Sequence, residues 1–201
     1  MMDIATGFKM GIPSKNADQD NCMLDIQYFT SHEEIKLWYG DYHRGVDKAL
    51  RDMKVNLEYS HPGDPTNNAI AERNVQDMEI GIRALLEQAG LPQCFWPYAI
   101  ACYCFCENMR NKQWADGRYV SSYYLRFGHD CPAMLIPFGC GVYYMAPETK
   151  AVPSKAAPKL KCGVFVGYDI GPGGVWSGQY KVIDMATFAW NDLHAEADAS
   201  L

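Results

Sequence analysis

Residues 61–99 read HPGDPTNNAIAERNVQDMEIGIRALLEQAGLPQCFWPYA, and the rest of the chain is organised around them. Pro62, Gly63, Asp64 and Pro65 are turn formers, and Thr66, Asn67 or Asn68 can cap the helix that follows. From there Ala71, Val75, Met78, Ile82, Leu85, Leu86 and Ala89 recur at gaps of three and four, which predicts one buried helix face. Gly90 supplies a C-terminal stop, and Pro92 suits the first turn of a second, mostly apolar helix. Glu72 falls one position off the apolar stripe near the helix start, where free amides and the dipole favour a carboxylate. Held on a rigid element, such a carboxylate is a good metal ligand. In the plain alternative it is only a partner of the dipole.

Taken whole, the stretch resembles the last part of the catalytic core of retroviral and retrotransposon integrases, most closely the copia type. The resemblance rests on Pro65, Asn68, Ala71-Glu72-Arg73, Ala89-Gly90-Leu91-Pro92 and Phe95-Trp96-Pro97-Tyr98-Ala99, in that order. By that resemblance Glu72 is the Glu of an Asp-Asp-Glu metal site, and Asn68 and Arg73 are nucleic-acid contacts. Ala69 departs from the family, which has Gly there and so a looser loop.

At 201 residues the chain can hold one medium domain, or one domain plus a small one. Hydrophobic residues at 48% and charged residues at 21% describe a soluble globular protein. No run of eighteen apolar residues suggests a membrane span, and the opening MMDIATGFKMG lacks the features of a signal peptide. Eight cysteines in such a sequence read as reduced thiols, which predicts an intracellular setting, cytoplasmic or nuclear. The net charge of −6 runs against phosphate binding, but it is unevenly spread. Residues 1–100 carry 9 basic and 15 acidic side chains, whereas residues 101–190 carry 9 basic and 6 acidic. The second half is therefore the expected DNA-facing part.

In chain order, residues 3–14 read as a turn and a short strand through Phe8, Met10 and Ile12. The family has an Asp-x-x-Ser/Thr turn between its second and third core strands, and Asp3-Ile4-Ala5-Thr6-Gly7 is similar to it. By the same resemblance the first catalytic Asp lies on the strand before this turn, so the chain is expected to start after that ligand. The 8–12 strand would then lack a partner, and an open edge favours association.

A helix is expected over 17–29, packed through Met23, Leu24 and Ile26 or Tyr28. Residues 35–39 (IKLWY) suit a buried parallel strand. It ends in Gly40-Asp41, and the C-terminal ends of such strands are where open α/β sheets place ligand sites. Asp41 is thus either a metal ligand or a strand-to-helix cap, and by resemblance it is the second catalytic Asp. The family follows this Asp with Asn and then Gly-Glu, whereas the chain here continues Tyr42-His43-Arg44-Gly45-Val46. The 31 residues from Asp41 to Glu72 hold a helix (45–53) and a strand (55–59).

The second long helix is expected over 92–111, with an apolar body from Phe95, Trp96, Ile100, Tyr103 and Phe105. Its Cys102, Cys104 and Cys106 do not form a Cys-x-x-Cys pair, so zinc is not expected and the thiols read as small buried hydrophobes. Residues 113–132 are a polar and aromatic connector, in which Ser122-Tyr123-Tyr124-Leu125-Arg126-Phe127-Gly128 resembles a motif that follows the integrase core. Beyond it, strand-like runs at 139–145, 162–168 and 179–183 alternate with Pro- and Gly-rich turns. Gly171-Pro172-Gly173-Gly174 reads as a hairpin connection, because neither Gly-Lys-Ser/Thr nor a helix follows. This region resembles the small β-barrel after the copia core, and Lys150, Lys155, Lys159 and Lys161 are its densest basic group. They are either a solvated loop or a phosphate-contacting patch, with Lys155, Lys159 and Lys161 the DNA-contact candidates.

The expected architecture is therefore α/β: an RNase H-like integrase core lacking its first strand or strands (1–112), a connector (113–136), a small β-barrel (137–190) and a tail (191–201). The resemblance implies metal-dependent DNA strand transfer using Mg²⁺ or Mn²⁺ held by Asp41 and Glu72. It also implies DNA as partner, homo-oligomers or the rest of a polyprotein as context, and inactivity of the chain alone for want of the first Asp. A non-catalytic nucleic-acid or protein interaction remnant is the alternative. Other hydrolase signatures are missing: there is no Gly-x-Ser-x-Gly, and His32-Glu33-Glu34-Ile35-Lys36 lacks a zinc protease's second His.

Overall fold

The computed structural model describes residues 1–59, 69–145 and 160–188. An N-terminal hairpin pairs Met2 with Lys9, its turn closed by the Asp3 carboxylate, which accepts from the Thr6 hydroxyl (2.5 Å) and the Ala5 N–H (3.1 Å). Phe8, Lys9 and Met10 are buried. The outer edge of this strand has a side-chain partner where a strand would otherwise be needed. The Lys9 N–H donates to Asn108 Oδ1 (2.9 Å), and Asn108 Nδ2 donates to the Lys9 carbonyl (2.7 Å). One carboxamide thus satisfies both backbone groups that an open edge would leave unmet.

α1 (Gln19–Thr30) starts on an Asp18 cap, whose carboxylate accepts from the Asn21 N–H. Its buried face is Cys22, Ile26 and Phe29. Leu24, expected inside, is 63% exposed, because the spacing of four and three through Cys22 sets the stripe instead. β1 (Trp38–Gly40) and β2 (Leu57–Tyr59) pair in parallel through the crossover helix α2 (Arg44–Asp52). β1 is half-buried rather than buried, since with one partner strand among the described residues it has less cover than a central strand would.

α3 (Ala69–Ala89) buries Met78, Gly81 and Leu86 and half-buries Ile82, Leu85 and Ala89. The stripe predicted from the sequence fails at its front: Val75 is 49% exposed, because packing against α4 (Trp96–Met109) engages the later turns. Gly81 has a reason to be glycine, since a Cβ there would lie 2.2 Å from the Tyr103 ring of α4. A 3-10 turn (Gln93–Phe95) leads into α4, with Pro97 in its first turn.

Residues 113–132 are more ordered than a connector. β3 (Asn111–Gln113) and β4 (Tyr119–Ser121) form an antiparallel hairpin, and Ser121 caps α5 (Ser122–Phe127) by accepting from the Tyr124 N–H. Its Asp116-Gly117 turn is the signal that alternation alone did not reveal. From α5, Arg126 reaches inward with only 3% of its side chain exposed. Its guanidinium donates to the carbonyls of Gly173 and Phe29, pairs with Glu33 at 2.8 Å and lies over the rings of Phe8, Phe29 and Phe127.

β5 (Gly141–Met145), β6 (Leu160–Ile170) and β7 (Trp176–Asp184) make an antiparallel sheet in the order β5-β6-β7, and the short α6 (Met185–Phe188) follows. Among the described residues this sheet is open, not a closed barrel. The Gly171–Gly174 stretch connects β6 to β7 as expected, by a 3-10 turn. Gly174 adopts φ +88°, and a Cβ there would stand 2.4 Å from the Phe8 ring.

Two apolar clusters result. The larger joins Phe8 and Met10 to Leu86 of α3, Ala99, Cys102 and Phe105 of α4, Tyr123 of α5 and Val164 to Tyr168 of β6. The smaller holds Cys22 and Ile26 of α1 with Ala49 and Leu50 of α2, bordered by Ile35, Trp38, Val55 and Leu57. Met1 packs at the margin of both.

Candidate metal and nucleic-acid site

Asp41 follows directly on Gly40, the last residue of β1, whose register partner is Tyr59 at the end of β2. This is the carboxyl end of a parallel pair, the position expected from the sequence. Asp41 is exposed. The backbone beyond it is tied down by aromatic and polar contacts. Tyr42 packs edge-on against Tyr59 with ring centroids 5.5 Å apart, and the Tyr59 hydroxyl donates to Asp47 Oδ1 at 2.5 Å. Asp47 in turn accepts from Arg51 Nε with both oxygens at 3.0 Å.

These contacts set the electrostatics beside Asp41. Hydrogen bonds from Arg51 and then Tyr59 hold the Asp47 carboxyl below its ordinary value, against the opposing effect of burial. Burial, followed by the Asp47 carboxylate, pushes Tyr59 up to about 12. Sequence reasoning missed this Asp47-Arg51-Tyr59 group. The Asp47/Arg51 spacing of four on a helix was its only local signal, and Tyr59 joins from another element.

Glu72 lies in the first turn of α3 and is exposed, with Arg73 exposed beside it. Among the described residues no group of three or more His, Cys, Asp or Glu side chains could hold a metal ion. Asp41 and Glu72 are hard oxygen donors of the kind Mg²⁺ takes, but by themselves they are an incomplete set.

Of the nucleic-acid candidates, Arg73 and Lys161 fall within the described residues. Asn68, Lys155 and Lys159 lie outside the described residues. Lys161 is on β6, where its ammonium stands 3.6 Å from Asp184 Oδ2 while the Tyr144 hydroxyl donates to that same oxygen at 2.9 Å. Its charge is therefore already partly answered. The three cysteines of α4 behave as packing groups: Cys102 and Cys104 are buried, and Cys104 Sγ touches Met78 Sδ at 3.5 Å.

No family model matches this chain, and no curated protein matches it. Solved structures do. A chain of the simian T-cell lymphotropic virus intasome, in complex with PP2A regulatory subunit B56 gamma, superposes with a TM-score of 0.51 at 12% identity. That match covers 91% of this chain and 68% of the other. The fold is integrase-like. The catalytic core domain of BIV integrase also matches, with a TM-score of 0.40 at 13% identity, over 57% of this chain and 72% of that one.

Proposed function

We propose that this chain is part of a copia-type retrotransposon integrase, with an RNase H-like core followed by a small antiparallel sheet. Its ancestral activity is then metal-dependent DNA strand transfer. The observation that carries the reading is the placement of Asp41 at the carboxyl end of β1 and Glu72 in the first turn of α3, on an integrase-like fold. Two carboxylates at such positions are the donor type that binds Mg²⁺ or Mn²⁺ for in-line phosphodiester chemistry. DNA is the substrate class, and the chain works as a homo-oligomer or beside the rest of a polyprotein.

The incomplete acid set has a consequence for activity. A two-metal centre needs a further carboxylate to bridge its ions, and none joins Asp41 and Glu72 among the described residues. We therefore infer that the isolated chain performs no strand transfer, although it retains weak divalent-ion binding at this pair.

The test is Mn²⁺ titration followed by water-proton relaxation, run beside a strand-transfer assay on labelled duplex DNA. Weak Mn²⁺ binding should fall at least tenfold in both Asp41→Asn and Glu72→Gln, and the assay should be blank with either metal. Binding unchanged by both substitutions would remove the metal-site reading. Strand transfer by the isolated chain would overturn its inactivity.

A further inference from the structure

The two edges of the C-terminal sheet differ in chemistry. β7 carries Gln179, Lys181 and Asp184, and register shifts interrupt its pairing with β6. Charges and irregularities of this kind keep an edge strand from pairing further. β5 has neither. Its residues Gly141-Val142-Tyr143-Tyr144-Met145 are uncharged and pair with β6 in unbroken register. β6 is their one partner strand among the described residues.

Hydrogen bonds at the start of β5 fix which of its backbone groups face away from β6. The Gly139 N–H donates to the Phe165 carbonyl at 2.9 Å, and the Phe165 N–H donates to the Cys140 carbonyl at 3.0 Å. Bonded positions of an antiparallel pair recur at every second residue, so Val142 and Tyr144 bond to β6. Gly141, Tyr143 and Met145 turn their N–H and C=O groups to the open edge. The same three residues share one face of the sheet, where Tyr143 is 75% and Met145 71% exposed. Leu160 and Cys162 of β6, opposite Met145 and Tyr143, extend this face and are exposed as well.

We propose that β5 is a self-pairing edge, through which two copies of this chain join their sheets in antiparallel register about a two-fold axis at Tyr143. The fit of the strand to itself selects a second copy as the occupant. With Tyr143 opposite Tyr143, Gly141 falls opposite Met145 and Val142 opposite Tyr144. The outward groups of Gly141, Tyr143 and Met145 then meet one another, and every bonding position on one edge has its counterpart on the other. A register moved by one residue sets outward groups against positions already bonded to β6. The side chains agree with this register. Each Met145 lies over Gly141 of the other copy, where a Cβ would meet nothing within 4 Å. The two Tyr143 rings stand side by side as a cross-strand aromatic pair.

The product is one sheet in the order β7-β6-β5-β5-β6-β7. A two-fold contact closes on itself and ends the growth that an open edge invites. Five residues a side make a small interface, so the dimer is a weak one that forms as concentration rises. Such a dimer is one form of the homo-oligomer proposed above and rests on that reading, but it is independent of the metal pair.

Sedimentation velocity of the full chain over a wide range of concentration should show a reversible monomer–dimer equilibrium. Tyr143→Lys sets two ammonium groups against each other at the axis and should raise the dissociation constant about tenfold or more. Met145→Lys, at an equally exposed residue, decides the matter should the first variant lose its far-UV circular dichroism. In Tyr143→Cys, combined with Cys162→Ser to remove the cross-strand thiol, the two introduced thiols come within reach of each other. Bonded antiparallel residues lie about 5.5 Å apart at Cα, and disulfides span about 4.4–6.8 Å. Mild oxidation should give a dimer whose mapped cross-link joins position 143 to itself. A dimer indifferent to both lysine substitutions and not cross-linked there would leave the chain a homo-oligomer but overturn this interface. A chain that stays monomeric throughout would overturn both. Slow amide exchange at Tyr143 in that monomer would assign the edge to another part of the same chain.

Discussion

The two apolar clusters are built by different means. The large one closes over Phe8, Phe105, Phe165, Val166 and Tyr168, all nearly inaccessible to water, with contributions from the N-terminal strand, α1, α3, α4, α5 and β6. The small one has four buried residues, two from α1 and two from α2, under a half-buried parallel pair. It depends on a polar group, Asp47 with Arg51 and Tyr59, for part of its order. Yet Asp41 belongs to this lighter region. A segment with few buried apolar contacts opens more readily than a core, so the candidate acid stands on the less stable part of the molecule.

The largest expected effect is Phe165→Ala in the large cluster. Removing a fully buried ring should cost about 4 kcal/mol, and urea titration should show most of the chain unfolded or its midpoint greatly lowered. Leu50→Ala comes next, at about 3 kcal/mol, but its damage should be local. Amide protection should fall in β1, α2 and β2 while α4 and β6 keep theirs. Equal loss everywhere would show that the two regions unfold as one unit and would break the comparison.

Asn108→Ala removes no large apolar group, yet it leaves the Lys9 N–H and carbonyl unpaired inside the large cluster. We expect a cost of about 2 kcal/mol, with faster exchange at Lys9 and little change at Leu50. A cost near zero would mean that water replaces the carboxamide.

The smallest effect concerns pH. Asp47 has a folded-state pKa below its ordinary value, so it contributes stability above the usual carboxylate range that is lost as pH falls through the lowered value. Tyr59 is shifted the other way, from 10 to about 12. Its contribution is complete below pH 10 and is lost as pH rises towards 12. The small region should therefore loosen first at both extremes, as read by exchange or by chemical shifts of α2. Tyr59→Phe should abolish the alkaline loss and leave only the part of the acid loss that Arg51 sustains.

Much of this architecture was legible in local patterns. The α3 and α4 helices with the Gly90–Pro92 break, the β1-α2-β2 order, and the hairpin turn at Gly171–Gly174 follow from periodicity and from turn chemistry. So did the placement of Asp41 and Glu72, since strand ends and helix starts are marked by their own neighbours. The expected front of the α3 stripe failed at Val75, and Leu24 turned outward, because periodicity names a face but not what covers it.

What only the tertiary structure decided is of another kind. Asn108 serving as the neighbour of Lys9, 99 residues away, has no sequence signature, because a carboxamide's partner depends on where two distant elements meet. The inward turn of Arg126, the pairing of Tyr59 with Asp47, and the closeness of Gly81 to Tyr103 arise in the same way. The sequence by itself determined the elements and the ends on which the two carboxylates sit, since backbone preference and capping act within a few residues. The division into a heavy and a light core, and the placing of Asp41 on the light one, came only from packing. Burial is a property of the surfaces that meet, and no single stretch of chain carries it.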